Sequence, residues 1–433
     1  MLLHIGFDDT DHYKGGCTTY ICSLIVEKLS KKVTFVDYPH LIRLNPNIPF
    51  KTRGNAAVSI KILCEDPEDV VDLVWNTIMD NYSGLGKAEP ALVAIKETIP
   101  SIVKIISMRA LHEVLSLDYV KRVIAKNNIQ CRYIGRGRGL VGALAAVGFY
   151  EADFNDYTFE LLAYRERSMW GKVRKMEYES LLKVDRAFRP YIYANIDYRK
   201  KRPLVLSHGP DPVLFGIRGD FPQLLVEAMK EIKVEERIDR WLIFKTNQCT
   251  EIHLFMRKTI SQVRPYDSVT ISGVVVSEPV VIKGGHVVIE VSDGTGSIDC
   301  IFYRKTRLNV LVLKLRKHDY VELSGGVKVR KGKLTLNVEK IQRIELAEVL
   351  TRVPPLCPFC REKMKSKGRA VGYKCPRCKY IVKQPSFKEI LREQLIPFKQ
   401  APAAYRHLTK PKEREGLEYF EKQCELIEEW HYP

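Results

Sequence analysis

The 433-residue sequence predicts a multidomain α+β protein, and three observations carry that prediction. Apolar runs of strand length alternate with helical periodicity through about the first 260 residues. Five short strands then follow from Asp267 within about eighty residues. Two Cys-x-x-Cys knuckles, fourteen residues apart, stand near the C-terminus.

A chain of this length cannot rest on one core and should divide into three or four domains. It is 45% hydrophobic without an uninterrupted apolar run of membrane-spanning length, which predicts a soluble protein with no membrane role. The first residues enter a strand directly, without the charged leader and apolar segment of an export signal. Of the eleven cysteines only four are regularly spaced; the others lie scattered among apolar neighbours, as in a reduced interior. The expected location is therefore the cytoplasm. The net charge of +18 points to a polyanionic partner, and its distribution says more than its size. From Arg352 to Lys410 there are fifteen Lys/Arg against three Asp/Glu, an electrostatic footprint for nucleic acid.

Leu2 to Phe7 reads as a buried strand, so Asp8, Asp9 and Asp11 stand just past its end, where α/β proteins bind ligands. Three carboxylates in four residues repel one another unless a cation sits among them. A hard divalent ion such as Mg²⁺, bridging to nucleotide phosphates, satisfies all three. Gly15 and Gly16 let the backbone turn tightly. Thr18 and Thr19 precede Ile21, Leu24, Ile25 and Leu29, which share one helix face. A threonine thus stands at a helix N-terminus, where free amides and the dipole favour a phosphate, whether ATP's or one carried by the threonine. The competing description is an acidic turn followed by an ordinary Thr N-cap.

Thr34 to Tyr38 and His40 to Leu44 are strand-like, and Ala56 to Ile62 alternates as a half-buried strand. Residues 43–55 between them, RLNPNIPFKTRGN, are stiffened by prolines. Arg43, Lys51 and Arg53 are cationic donors; Asn45, Asn47 and Asn55 are neutral ones. Lys51 and Arg53 suit the charge on a transferring phosphoryl group, although a surface loop would need no such explanation. Glu65, Asp66, Glu68 and Asp69 open a helix through Val70, Leu73, Val74 and Ile78. A strand at Ala91 to Ile95 and a helix carrying Val114, Leu115, Tyr119, Val120 and Val123 follow. With no obvious catalytic residue, this segment predicts half of a small α+β sandwich inserted into the first domain.

Gly135-Arg136-Gly137-Arg138-Gly139 returns to chemistry: glycines for close approach beside two arginines predict a phosphate contact at Arg136 and Gly137, with turn geometry as the alternative. Thr158 to Arg165 is a strand whose Glu160 and Arg165 suit buried ion pairs. Tyr191 to Asp197 and Leu204 to Leu206 are strand-like, and residues 208–220 form two turns around a short apolar run. Asp197, Asp211 and Asp220 are acids in a basic chain, of the kind a small cationic substrate requires, or else each serves its own turn.

The strands from Val269 to Val338, with a helix-like segment near Leu308 to Leu315, fit a five-stranded OB barrel. Tyr303, Arg304, Lys328, Arg330, Lys331 and Lys333 give it aromatic and cationic groups suited to single-stranded nucleic acid. Cys357, Cys360, Cys375 and Cys378 bring four thiolates into the tetrahedron zinc prefers. With all four positions taken by thiolates and none left open by a His or acid in their place, the zinc is structural, and its binding supplies the folding energy of so small a module.

Taken together, GFDDTD and GGCTTY at the start, RLNPNIPFKTRGN at 43–55, GRGRGLVGALAA at 135–146, TFELLAYR at 158–165, HGPDPVLFGIRGD at 208–220, the OB segment and CPFC/CPRC resemble one family along the whole chain. It is the archaeal isoleucine-tRNA 2-agmatinylcytidine synthetase family, TiaS. The resemblance implies a kinase-like catalytic domain at 1–62 and 131–196, interleaved with a ferredoxin-like domain at 63–130 and 197–262. An OB domain at 265–345 and a zinc-ribbon domain with C-terminal helices at 346–433 follow. It implies an ATP-dependent ligase with threonine and cytidine kinase-like activity, acting on the wobble cytidine C34 in the CAU anticodon of an isoleucine tRNA. The C2 oxygen is phosphorylated and then displaced by agmatine, so that the anticodon reads AUA. Asp8, Asp9 and Asp11 would hold Mg²⁺ and ATP, together with Gly15, Gly16 and Thr19. Thr18 matches the family's phosphorylated threonine, with Thr19 as the fallback. Asp197 and Asp211 are the expected agmatine contacts. The implied partners are tRNA, agmatine and ATP, without an obligate protein partner. No Walker A loop or protein-kinase signature accompanies these motifs.

Two other readings compete. One is a non-catalytic RNA- or ssDNA-binding protein built on the barrel and ribbon; the other is an ATP-dependent RNA enzyme of different specificity. AMP and phosphothreonine formation separate the first, and the choice of amine separates the second.

Overall fold

The computed structural model describes residues 1–433 apart from 13, 53, 152–155, 208, 369–370 and 420–424. The first run of elements is β1 (Leu2–Asp8), α1 (Thr18–Leu29), β2 (Thr34–Phe35), β3 (His40–Arg43), β4 (Ala56–Leu63), α2 (Pro67–Asn81), β5 (Ala91–Lys96), α3 (Ser101–His112), α4 (Leu117–Lys126), β6 (Gln130–Tyr133) and α5 (Leu140–Gly148). The second is β7 (Thr158–Arg165), α6 (Tyr178–Ala187), β8 (Ile192–Tyr193), β9 (Ile196–Asp197), β10 (Arg202–Pro203), β11 (Val213–Gly219), α7 (Pro222–Glu231) and β12 (Ile238–Thr246). The barrel comprises β13 (Ser268–Val275), β14 (Val280–Ile282), β15 (His286–Ser292), β16 (Ser297–Phe302), α8 (Leu308–Val312), β17 (Tyr320–Arg330) and β18 (Lys333–Glu345). Short strands end the chain: β19 (Leu350–Val353), β20 (Lys365–Ser366), β21 (Tyr373–Lys374), β22 (Ile381–Val382), β23 (Ser386–Glu389) and β24 (His431–Tyr432).

One large sheet runs β6-β5-β1-β4-β3-β12-β7-β11-β8, with β2 on β4 and β24 on β12. Its pairings are antiparallel except at β3–β12, where Lys245 and Thr246 run parallel to His40 and Leu41. That parallel seam joins the two runs of elements into one sheet. In β1 the two-residue alternation decides the layers. Leu3, Ile5 and Phe7 enter the core shared with α1 and α2, while Gly6 lies against α5, where a Cβ would overlap the Ala143 carbonyl. The main core continues past the seam under α6 and α7, through Phe159, Leu161, Leu181, Val184, Leu225 and Phe244.

The segment expected as half of an inserted sandwich instead extends the first sheet. β5 is a run of five buried residues before Lys96 that pairs with β1 along its length (Ile5 opposite Ala94), and β6 follows at the edge. α2 forms as expected, with the Asp66 carboxylate accepting from the Glu68 and Asp69 amides and Pro67 in the first turn. The single helix expected before Ile129 is two, α3 and α4, separated at 113–116.

The barrel forms where it was expected, with a sixth short strand, β14, on the edge of β15. β13 pairs β17 and β15, β17 pairs β18, and β16 runs parallel to β18, closing the circuit with α8 between β16 and β17. The three asparagines of residues 43–55, noted as neutral hydrogen-bond donors, have structural work. Asn45 Nδ2 donates to Tyr266 O at 2.9 Å, Asn47 Nδ2 to Ser268 Oγ at 2.7 Å, and Asn55 Nδ2 to Asn45 O at 2.7 Å. Asn45 and Asn47 fasten the barrel to the first sheet, and Asn55 braces the loop that carries them. Beyond the ribbon, the expected C-terminal helices are three-residue 3₁₀ turns among the described residues, because prolines at 397, 402 and 411 break the run. This tail returns to the first sheet, where Trp430 joins the main core and β24 pairs β12.

Two buried histidines, His4 and His112, each donate to a backbone carbonyl, of Glu97 and His253. Burial holds both down at about 4, so they fold neutral. A depressed folded value stabilises the protein fully above the unfolded 6.5 and is lost as pH falls toward 4. The melting temperature should therefore drop across that window, by up to roughly 3 kcal/mol of stability per histidine. His112→Gln should make the fall shallower in a pH series of thermal melts.

Candidate active site

Asp8 ends β1 on the face turned to α5, and its carboxylate settles on the first turn of that helix. Only glycine permits this, since a Cβ at Gly142 would collide with Asp8 Oδ2. The next residue, Asp9, takes a left-handed backbone (φ 61°), which swings the two carboxylates apart. Arg138 grips Asp9 bidentately, Nε to Oδ2 at 2.9 Å and Nη2 to Oδ1 at 3.0 Å, and the Glu89 amide donates to Oδ2 at 3.3 Å. Asp8 Oδ1 accepts the Asp9 amide at 2.7 Å. Burial, and then the charge of Asp9, push the Asp8 carboxyl well above the usual carboxylate range; burial also raises Asp9 against the pull of Arg138.

Thr18 opens α1 and is buried, and Thr10 Oγ1 donates to Thr18 Oγ1 at 3.0 Å. Cys17 at the N-cap makes no side-chain cap bond. The preceding hairpin is tight, with His12 and Gly15 exchanging backbone hydrogen bonds at 2.8 and 3.0 Å. Gly16 has φ 79° and its α-hydrogen lies against Thr10 O, so both glycines shape the turn.

A cavity of about 530 Å³ gathers these groups. Asp8, Asp9, Asp11, Thr18, Thr19, Lys51 and Arg138 line it from the first half of the sheet; Glu160, Asp211, Gly216 and Arg218 line it from the second. Lys51 donates to Pro46 O, and burial lowers its ammonium, followed by the charges of Arg406 and Lys328. Arg43 is lowered to about 10 by burial and lies 3.9 Å from Glu160, whose Oε1 accepts Arg218 Nε at 2.8 Å. The tail completes the wall with His407.

Of the residues singled out by sequence, Arg53 lies outside the described residues. Gly15, Gly16, Gly137 and the exposed Arg136 do not line the cavity; the arginine of that glycine-rich stretch that does is Arg138. Asp197 lies elsewhere, in the β9–β10 hairpin, accepting the Lys200 amide at 3.1 Å with Arg202 at 3.7 Å. Asp211 lines the cavity, but its carboxylate is engaged by Ser207 Oγ (2.8 Å), Arg174 Nη2 (3.4 Å) and the Val213 amide (3.1 Å), so it serves its own turn. Glu160 and Arg165 are buried in ion pairs, the latter with Glu236 at 2.6 Å.

The four ribbon thiols form a second site. The ligand sulfurs of Cys357, Cys360, Cys375 and Cys378 all lie within 4.8 Å of one another. The Cys360 and Phe359 amides draw the Cys357 thiol down to about 7, whereas the neighbouring sulfurs, Cys378 first, push Cys360 up to about 12. A dication among them removes that conflict, and the set fits tetrahedral Zn²⁺. Cys375→Ser should release the metal and weaken nucleic-acid binding by at least roughly tenfold. Metal analysis alongside a filter-binding assay checks both.

Family models described as the TiaS TCKD domain, the TiaS FLD domain, an OB-fold nucleic acid binding domain and the TiaS C-terminal zinc ribbon domain match residues 4–65, 137–253, 269–344 and 354–393. A relative from Thermofilum pendens, an isoleucine-tRNA 2-agmatinylcytidine synthetase TiaS by name, is 41% identical over 96% of this chain and 95% of its own. A crystal structure of TiaS in complex with isoleucine tRNA and ATP superposes with a TM-score of 0.81 at 35% identity, covering 99% of both chains. One of TiaS with isoleucine tRNA, AMPCPP and agmatine gives 0.80 at 34% identity, again over 99% of both. Likeness of that extent, from the aspartate-tipped first strand to the thiols of the ribbon, places the chain in the TiaS family, the isoleucine-tRNA 2-agmatinylcytidine synthetases.

Proposed function

We infer that the chain is an ATP-dependent ligase that joins agmatine to carbon 2 of the wobble cytidine in the CAU anticodon of an isoleucine tRNA, giving 2-agmatinylcytidine. The observation that carries this is the single cavity in which the acidic end of β1, the threonine opening α1 and a group of cations converge, in a chain aligned end to end with TiaS. A carbonyl oxygen is a poor leaving group; as a phosphate ester it leaves readily when an amine attacks carbon 2.

In our assignment Asp8 and Asp11 face the nucleotide, and Arg138 holds Asp9 so that the three carboxylates stay splayed. The raised carboxyls of Asp8 and Asp9, with Asp11 close by in sequence, fit Mg²⁺, which would supply charge neutralisation for the triphosphate. Thr18 is the phosphate acceptor and Thr19 the fallback. Thr10 occupies a lone pair of Thr18 Oγ1, leaving the hydroxyl proton free to be given up, and the free amides of α1 favour the phosphate. Lys51 meets charge on the transferred group, with Arg53 its intended partner. Gly15 and Gly16 shape the turn, and Arg136 and Gly137 lie outside the set. Asp197 lies away from the cavity, and Asp211 lines it with its carboxylate held by Ser207 and the Val213 amide; agmatine's alkyl chain suits the apolar wall of Leu162, Leu204, Leu206 and Val213.

The strand order supports a division at the β3–β12 seam: a phosphoryl-transfer unit ending near residue 150, and a second unit of β7–β12 with α6 and α7. This assigns 63–130 to the first unit and most of 157–196 to the second, the reverse of the sequence expectation. The barrel and ribbon grip tRNA at a distance from the wobble base, which must leave the anticodon stack to enter the cavity. Free thiols at the six described cysteines outside the ribbon, and a tRNA substrate, favour the cytoplasm. Among the described residues no helix is long and apolar enough to cross a membrane.

Incubation with ATP, agmatine and the cognate tRNA transcript tests the reading. The expected products are AMP and a cytidine heavier by agmatine, with lysine failing to substitute. Tight tRNA binding without AMP or phosphothreonine would leave a binding protein.

A further inference from the structure

The ligation leaves a proton unaccounted for. When the primary amine of agmatine bonds to carbon 2, the C2–O bond to phosphate breaks and the phosphate leaves with the electron pair. The new C–N nitrogen must then lose a proton. The carboxylates near Asp8 are committed to the nucleotide, so the base has to come from elsewhere on the wall.

His407 is surrounded by protein yet exposed, and what it is exposed to is the cavity. Its Nδ1 lies 2.9 Å from Gln248 Oε1 and 3.3 Å from Arg218 Nη2. The orientation of Gln248 decides between these contacts. Glu160 only accepts, and Gln248 Nε2 donates to it, so the amide oxygen is the atom turned to the imidazole. Nδ1 therefore carries the hydrogen and donates to Gln248 Oε1. Both Glu160 and Gln248 are buried, so the arrangement is held rigidly. Nε2 is the nitrogen without the hydrogen; it lies on the cavity wall beside Gly54, where an added Cβ would come into contact with it at 3.6 Å, so the lack of a side chain at 54 leaves that nitrogen uncovered.

We propose that His407 Nε2 is the general base that takes the proton from the agmatine nitrogen as the C–N bond forms, with Glu160 and Gln248 as positioning residues that fix its tautomer. This rests on the ligase reading above and deepens it. The charged groups facing the imidazole are Arg43 from β3, Arg218 from β11, Lys51 from the following loop and Glu160 from β7. The cations, Arg43 first, and then burial hold the imidazole well below its ordinary value, so it is a free base at neutral pH. The same cations favour agmatine's amine over its ammonium. Because the cavity is open, the imidazolium can pass its proton to water and reset.

The test is single-turnover agmatine transfer to tRNA as a function of pH, in wild type and His407→Gln, with melting temperature and tRNA affinity measured alongside. The expected loss is about a hundredfold or more. The acidic limb of the wild-type profile should vanish in the variant, and imidazole should restore part of the rate in His407→Gly. A transfer rate within about threefold of wild type, or an acidic limb that persists in the variant, would overturn the proposal. Failure of wild type itself to form agmatinylated tRNA would instead sink the ligase reading, so the two failures are distinguishable.

Discussion

Asp9→Asn should abolish phosphothreonine formation, by roughly a thousandfold or more, while changing tRNA affinity less than about threefold. Asparagine is the right replacement because Asp9 sits at φ 61°, a region Asn tolerates and alanine does not, so the variant removes charge without adding backbone strain. Arg138 would lose the carboxylate that receives it bidentately. A guanidinium released beside Asp8 would then neutralise a position our assignment gives to the nucleotide's metal. Asp9→Ala should lose the same activity and also some stability. Phosphorylation by labelled ATP, read beside tRNA binding, separates the outcomes; joint loss of both in Asp9→Asn would make Asp9 a structural residue.

The second large effect is expected at Arg414, which is fully buried. It donates to Asp156 Oδ2 at 2.9 Å, Asp220 Oδ1 at 3.1 Å, Cys249 O at 3.0 Å and Tyr157 O at 3.1 Å. Removing the cation takes its charge from two carboxylates at once, Asp156 and the buried Asp220, so Arg414→Ala should cost about 3–5 kcal/mol. The effect should reach the active site, because the same tail carries His407, whose carbonyl accepts the Cys249 amide at 2.8 Å. Thermal melts and limited proteolysis should show early release of the tail. Agmatine transfer should fall more steeply than phosphothreonine formation, which does not use His407.

The contrast between these residues explains what could be read from sequence. Asp8, Asp9 and Asp11 were legible because a strand period ends in three acids, and Thr18 because a helical face begins beside it. The barrel and the ribbon were legible because strand alternation, glycine turns and thiol spacing are local signals. Arg138 was one of two arginines in a glycine-rich stretch, and nothing local distinguishes it from Arg136. The choice is made by α5, whose first turn faces Asp8 only because Gly142 has no side chain. Residues 140–148 form that helix directly after the glycine-rich stretch where a phosphate contact was expected. Asp211 looked like a cation ligand by composition, but its partners, Ser207 and Arg174, come from a turn and a remote loop. His407 had no local signal at all. It reaches the cavity because the tail recrosses the whole molecule, a pairing more than 150 residues long in sequence, as with Gln248.

The seam between the two halves of the sheet was hidden for a similar reason. Whether β5 joins β1 or a separate layer depends on which apolar edge is left unpaired, and each strand alone fits either arrangement.

The most direct test is a crystal structure with a nonhydrolysable ATP analogue, Mg²⁺ and the cognate tRNA. The triphosphate is expected between Asp8 and the start of α1, its terminal phosphate within reach of Thr18 and Lys51, and the metal on the β1 carboxylates. A triphosphate seated anywhere else, with no metal on those carboxylates, would contradict the assignment.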